Sequence, residues 1–194
     1  MIKMEITNEY SRAIPKGAVK AGLDTCFLCN IVNKNIKIEW LKKNFFPSNT
    51  FFYYCGIIEK EFKGVLRRKS GLKGLDAKRE WEKIAEELDM LPIRWSRAIE
   101  EDFVPKVMDA NEKIVEKRDV PGFSKTLRIG RGDIEIIASF MKENLDRIYT
   151  SDDGFYLTCK ELGMNAIKVK LSKFWRMQDI SREEKEKNEY GDDE

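Results

Sequence analysis

Ala18-Val-Lys-Ala-Gly-Leu23-Asp24-Thr25-Cys26-Phe27-Leu28, running on through Asn33, holds the pattern on which the fold turns. Ala18 to Leu23 reads as a short buried strand, Thr25 to Asn33 as a helix, and one acid, Asp24, stands at the junction. The same alternation spreads outward. Ile36 to Asn44 predicts a second helix closed before Pro47, and the aromatic run Thr50-Phe-Phe-Tyr-Tyr54 predicts a strand. Ile57 to Lys69 predicts a helix stopped by Gly71 and Gly74. Leu75 to Leu91 predicts a charged amphipathic helix, with Trp81, Ile84, Ala85 and Leu88 at helical spacing and Pro92 ending it. Ala98 to Lys117 predicts a helix bent or broken at Pro105, and Pro121-Gly122 a turn. Past Gly132 come a helix from Asp133 to Asn144, a strand Arg147-Ile-Tyr-Thr150, a helix from Gly154 to Leu162 capped by Gly163, and a strand from Ala166 to Val169.

Strands alternating with helices indicate parallel βαβ units, an α/β fold whose sheet is covered on both faces. In such sheets ligands bind beyond the carboxyl ends of the strands. Asp24 and Asp152 fall there. The 194 residues fit one ordinary domain. We divide them into a lead-in (1–17), the domain (18–170) with a helical insertion at about 71–130, and an extension (171–194). From Ser181 the extension turns to Glu, Lys, Asp and Asn, the composition of a partly disordered acidic tail, and Trp175 is placed to anchor a helix before it.

The chain contains no histidine, which excludes His-based triads, His acid/base catalysis and His-ligated metals together. Catalysis must run on carboxylates, thiols or lysines. A net charge of +2 neither announces nor excludes a nucleic-acid binder, since a local patch is what meets phosphate. No stretch reaches the roughly 20 apolar residues of a membrane span, and Met1 to Lys20 lacks the apolar core of a secretory signal. A cytoplasmic protein with its cysteines as thiols is the expectation. Dense Lys, Glu and Ile also suggest a thermophilic source.

Helical phase sorts the acids. Ile57, Ile58, Phe62, Val65 and Leu66 define an apolar arc that includes Glu61 and leaves Glu59 just outside. Ile134, Ile136, Ile137, Phe140 and Met141 do the same for Asp133, with Glu135 pointing away. An inward glutamate is costly unless compensated, by a Lys or Arg or by something else. Asp24, Asp133 and Asp152 are also placed to cap helices or complement their dipoles. Bare carboxylates about 4 Å apart repel by roughly 4 kcal/mol per pair at an effective dielectric near 20. A divalent cation removes that cost, and an all-oxygen site suits Mg²⁺ or Mn²⁺.

Asp24-Thr-Cys-Phe-Leu28 resembles the opening D-T-N-x-L motif of PIN domains, with Cys26 in place of the asparagine. Glu61-Phe62 is similar to the family's E-L, Asp133-Ile-Glu-Ile136 to its D-x-x-I, and Thr150-Ser-Asp152-Asp-Gly-Phe155 to its T-N-D-x-x-F. Order, spacing and context agree from about Ala18 to Val169. The resemblance, to VapC-like PIN nucleases, implies a three-layer α/β/α sandwich and cleavage of RNA with Mg²⁺ or Mn²⁺. It implies Asp24, Asp133 and Asp152 as metal ligands and Glu61 as a ligand, direct or through water, that helps place the nucleophile. Thr25, Thr150, Ser151 and Asp153 would support the site. A homodimer and a protein partner are further expectations. The stretch from Glu61 to Asp133 is longer than in compact VapC toxins, and Cys26 keeps open a PIN-like module that binds RNA or protein without cutting.

Cys26-x-x-Cys29 follows a strand and opens a helix, the setting of a redox pair, though the spacing equally suits small buried residues. Lys60, Lys63, Arg67, Arg68, Lys69 and Lys73 form a basic run, in the plainest case a solvated face. Beside a metal site, Lys63, Arg67 and Arg68 would meet RNA phosphates, with Lys125, Arg128 and Arg131 approaching Asp133.

Overall fold

A computed structural model describes residues 14–69, 73–117 and 127–169. Strand β1 (Val19–Leu23) lies at the centre of a five-stranded sheet, flanked by β2 (Thr50–Cys55) and β4 (Arg147–Thr150). Beyond these lie β3 (Leu91–Ile93) and β5 (Ala166–Lys168), giving the order β3-β2-β1-β4-β5. All four pairings are parallel. A central parallel strand is covered on both sides, so Ala21 and Leu23 are fully buried although they follow a lysine.

Seven α-helices are described: α1 (Thr25–Asn33), α2 (Ile38–Asn44), α3 (Gly56–Lys69), α4 (Gly74–Glu87), α5 (Val104–Lys117), α6 (Arg131–Lys142) and α7 (Asp153–Glu161). From β1 the chain steps through β2 to β3, then returns to β4 and β5 on the other side. Right-handed crossovers therefore put α1 to α4 on one face and α5 to α7 on the other. Packing agrees: α1 and α4 touch α3, while α5 touches α6 and α7. The result is the expected three-layer α/β/α sandwich.

Both inner faces are aromatic or branched. Phe46 meets Phe52 at 4.6 Å and Tyr149 at 5.1 Å between ring centres, and Trp81 of α4 meets Tyr54 at 5.0 Å and Phe62 at 5.6 Å. On the other face Ile136, Ile137 and Phe140 of α6 and Phe155 of α7 are fully buried. The aromatic run Phe51 to Tyr54 is thus spent mainly on the core. Among the described residues no helix is long and apolar enough to cross a membrane.

Three local expectations are refined. Helix α4 ends at Glu87 and not at Leu91, Asp89 turning the chain at φ +50°. Leu91-Pro-Ile93 then pairs with Tyr53 to Cys55 as β3. Pro92 does not merely stop a helix. It sits in an edge strand, where the missing N–H need not face a neighbour. Ala98 to Lys117 is helical as expected, and its disturbance near Pro105 takes the form of a π-helical segment Ile99–Phe103 that runs directly into α5, as a residue lacking its N–H favours. Helix α6 begins two residues early, at Arg131, making Asp133 its third residue. The turn at Pro121-Gly122, Lys125, Trp175 and the extension 171–194 lie outside the described residues.

Candidate active site

The sheet order reverses direction at β1, whose neighbours β2 and β4 lead opposite ways, and ligands of such sheets bind at that switch. Asp24 follows β1 and Asp152 follows β4, one on each side of the switch. Both are helix caps. The Phe27 N–H donates to Asp24 Oδ1 at 2.5 Å, and the Phe155 N–H donates to Asp152 Oδ1 at 2.7 Å. Capping accounts for one oxygen of each. The other oxygen of Asp24, Oδ2, takes the Thr150 hydroxyl, whose own oxygen accepts the Asp152 N–H at 3.0 Å. Thr150 therefore ties the two acids together.

Glu61 and Asp133 come from opposite faces, on α3 and α6. Glu61 Oε2 accepts the Thr25 hydroxyl at 2.9 Å. It takes no Lys or Arg among the described residues, and the neighbouring Lys63 pairs with the outer acid Glu59 at 2.6 Å. Asp133 Oδ2 accepts the Gly130 N–H at 3.2 Å. Its outward neighbour Glu135 pairs with Arg131 at 2.7 Å. The two helices meet at Gly132: a Cβ there would stand 1.9 Å from Glu61 Oε1. Only a glycine lets the Glu61 carboxylate lie against the first turn of α6.

The electrostatics join the four acids. Burial pushes Asp24, 2% exposed, up to about 7 from 3.8. The Thr150 hydroxyl and Phe27 amide oppose the rise, while Asp152 and Asp133 add to it. Asp133 rises to about 6, by burial first, against the Gly130 N–H and reinforced by Glu61 and Asp152. Among the described residues no basic side chain contributes to either. The donors are oxygens throughout, the chemistry that suits a hard divalent ion. As placed, no three acid or thiol groups among the described residues are gathered closely enough to ligate one.

Supporting positions divide. Thr25 and Thr150 hold acids directly, and Ser151 accepts the Asn30 amide at 3.2 Å. Asp153 instead pairs with Lys168. Cys26 is exposed, yet its thiol is pushed up to about 12, by loss of hydration first and then by Asp24, Asp152 and Asp133. Such a thiol stays protonated, which argues against the redox reading. Of the cations, Arg67 and Arg68 are exposed, with Arg67 beside Gly74 and Arg68 folded back along its own helix to Gly64. Arg128 is exposed without an ion pair among the described residues, and Lys63 and Arg131 are engaged with Glu59 and Glu135.

Two residues went unread in the sequence. Buried Asn111 of α5 donates to the Leu127 carbonyl at 3.0 Å and to Thr158 Oγ1 at 2.9 Å, and accepts the Ile129 N–H at 3.4 Å. It links the approach to Asp133 with the helix that follows Asp152. Gly154 completes the joint, since a Cβ there would lie 2.7 Å from the Leu127 carbonyl oxygen.

No protein-family model matches the sequence, and no curated protein does. Solved structures do resemble the fold. VapBC2 from Rickettsia felis, bound to a DNA fragment from its promoter, aligns with a TM-score of 0.52 at 16% identity, over 78% of this chain and 100% of the other. VapBC-1 from nontypeable Haemophilus influenzae aligns with a TM-score of 0.54 at 15% identity, over 77% and 98%. At these identities the likeness is one of architecture. The chain has the fold of a VapC-like PIN domain.

Proposed function

On this fold we propose a divalent-metal-dependent endoribonuclease, a phosphodiester hydrolase that uses Mg²⁺ or Mn²⁺ with Asp24, Glu61, Asp133 and Asp152 as ligands. One observation carries the reading. Asp24 and Asp133 are both held above the ordinary carboxylate range, each in part by Asp152 and neither relieved by a cation among the described residues. A helix cap needs no such arrangement, because a solvated aspartate caps equally well. A bound divalent ion would offset the repulsion, acidify a coordinated water and neutralise charge on the attacked phosphoryl group.

The chain's own groups have distinct tasks in this scheme. Asp24 is held at both oxygens, so its orientation is set before any ligand arrives. Glu61 keeps Oε1 unbonded among the described residues and directed at the α6 terminus, in position to orient a water. The exposed cations of α3, with Arg128, would receive the flanking phosphates. We take the domain to span 18–170, acting in the cytoplasm. The neighbours are solved as VapBC2 and VapBC-1 assemblies, which supports a protein partner here and makes a homodimer worth testing.

Cleavage of single-stranded and structured RNA in Mn²⁺, with and without chelator, tests the reading. Wild type should cut only with metal, and Asp24→Asn or Asp152→Asn should not cut. Equal cutting by wild type and variants would refute the acid site. The second reading, a PIN-like module that binds RNA or a protein without cutting, is favoured by Cys26 and by acids not yet closed on one point. Retained RNA binding with no cleavage by any variant would select it.

A further inference from the structure

Beside the acids, where β2 and β3 end, lies a pocket of about 400 Å³. Ile57, Ile93 and Trp95 give it an apolar lining, and Lys60, Glu100, Arg131 and Glu135 its charges. Trp95 is 44% exposed, whereas Trp81 is buried in the core at 4%. A large aromatic left open inside a concavity is a surface for a flat apolar partner. Arg131 is paired with Glu135 and also feels the Glu100 charge, while Lys60 and Glu100 form no salt bridge among the described residues.

The pocket shares a wall with the acid site. A Cβ on Gly132 would lie 1.9 Å from Glu61 Oε1 and 3.6 Å from Ile57 Cγ2. Ile57 and Glu61 are four residues apart, just over one helical turn and about 6 Å along α3. A strand bound across Glu61 thus reaches the pocket within its next nucleotide.

We propose that this pocket receives the base of one nucleotide next to the scissile phosphate, an inference that rests on the ribonuclease reading. The Trp95 indole stacks on the base, which is sequence-tolerant. Lys60 meets a phosphate as a point charge. Glu100 supplies selection: a carboxylate only accepts hydrogen bonds, so it favours the exocyclic amino group of adenine, cytosine or guanine. Uracil presents carbonyl oxygens on both sides of its single N–H and is disfavoured.

Two measurements test this. Cleavage products of a mixed-sequence RNA in Mn²⁺ are mapped for wild type, Trp95→Ala, Trp95→Phe and Glu100→Gln, with Met108→Ala as an exposed residue on α5 away from the pocket. Binding of AMP, CMP, GMP and UMP to the same proteins is measured by equilibrium dialysis. Wild type should disfavour uracil at one position relative to the cut. Trp95→Ala should raise KM about tenfold and Trp95→Phe should restore most of it. Glu100→Gln should bring uracil to within about twofold of the other bases. If RNA is cut but Trp95→Ala matches Met108→Ala in KM and base preference, the subsite is wrong and the nuclease reading stands. If nothing is cut but CMP, AMP or GMP binds wild type about tenfold tighter than Trp95→Ala, the pocket stands and the nuclease reading falls. The absence of both cleavage and mononucleotide binding overturns the subsite.

Discussion

The four acids form two pairs held in different ways. Asp24 and Asp152 hang from neighbouring central strands, where Leu23 is in register with Tyr149, and each is pinned by a backbone N–H three residues on. Glu61 and Asp133 ride on helices from opposite faces and meet only where Gly132 admits the Glu61 carboxylate. The strand pair cannot shift without moving the sheet. The helix pair depends on the packing of α3 on α6, so under the proposed metal site it is this pair that would have to close the four carboxylates on one ion. A rigid half and an adjustable half make different predictions.

The largest effect expected concerns the rigid half without metal. Asp24 titrates at about 7 in the fold and at 3.8 ordinarily. The folded value is raised, so the favourable contribution is complete below 3.8 and is lost as pH rises through 7. The full loss is about 4 kcal/mol at 1.36 kcal/mol per pH unit. Asp133, at about 6, acts in the same direction. In urea melts, metal-free wild type should weaken between pH 5 and 8. Asp24→Asn should weaken less, keeping only the part due to Asp133, and be the more stable protein at pH 8, and Mn²⁺ should strengthen wild type more at pH 8 than at pH 5. Parallel curves for the two proteins would show that Asp24 does not carry a buried charge.

Activity separates the halves next. Asp24→Asn and Asp152→Asn each remove a proposed ligand of the rigid half and should lower kcat about 10³-fold, several kcal/mol of charge stabilisation. Gly132→Ala leaves every acid in place but puts a methyl 1.9 Å from Glu61 Oε1, so Glu61 must move. A loss of about 10²-fold is expected, comparable to removing one aligned polar group, with KM for the RNA less affected. Full activity in Gly132→Ala would mean that the contact between α3 and α6 has no part in the site.

The difference between the halves also governs what could be read in the sequence. Asp24 and Asp152 follow from strand–helix junctions, which are local, and Glu61 and Asp133 follow from helical phase. The structure supports that phase: the rejected acids Glu59 and Glu135 are the ones paired with Lys63 and Arg131. Asn111 was invisible because its partners are 16 and 47 residues away, and a buried asparagine inside a helix carries no local signal. Strand β3 was missed because three residues around a proline carry too little pattern and depend on β2 for their pairing. Trp95 was missed with it, since nothing marked the end of an unread strand as the edge of a pocket.

The smallest effect tests the joint within the rigid half. Thr150 donates to Asp24 Oδ2 and accepts from the Asp152 N–H, so Thr150→Val removes both bonds at nearly constant volume. The acids keep their caps from Phe27 and Phe155, so the site should survive with activity about tenfold lower, as for a group that orients a ligand without being one. The sign of the accompanying pH shift is fixed. The Thr150 hydroxyl lowers the Asp24 value, so without it Asp24 ionises at higher pH, and the acid limb of the kcat profile should move upward. A drop in kcat with an unmoved acid limb would make Thr150 a packing residue only. An upward limb with intact metal affinity would place its action on Asp24, through the bond that joins the two strand ends.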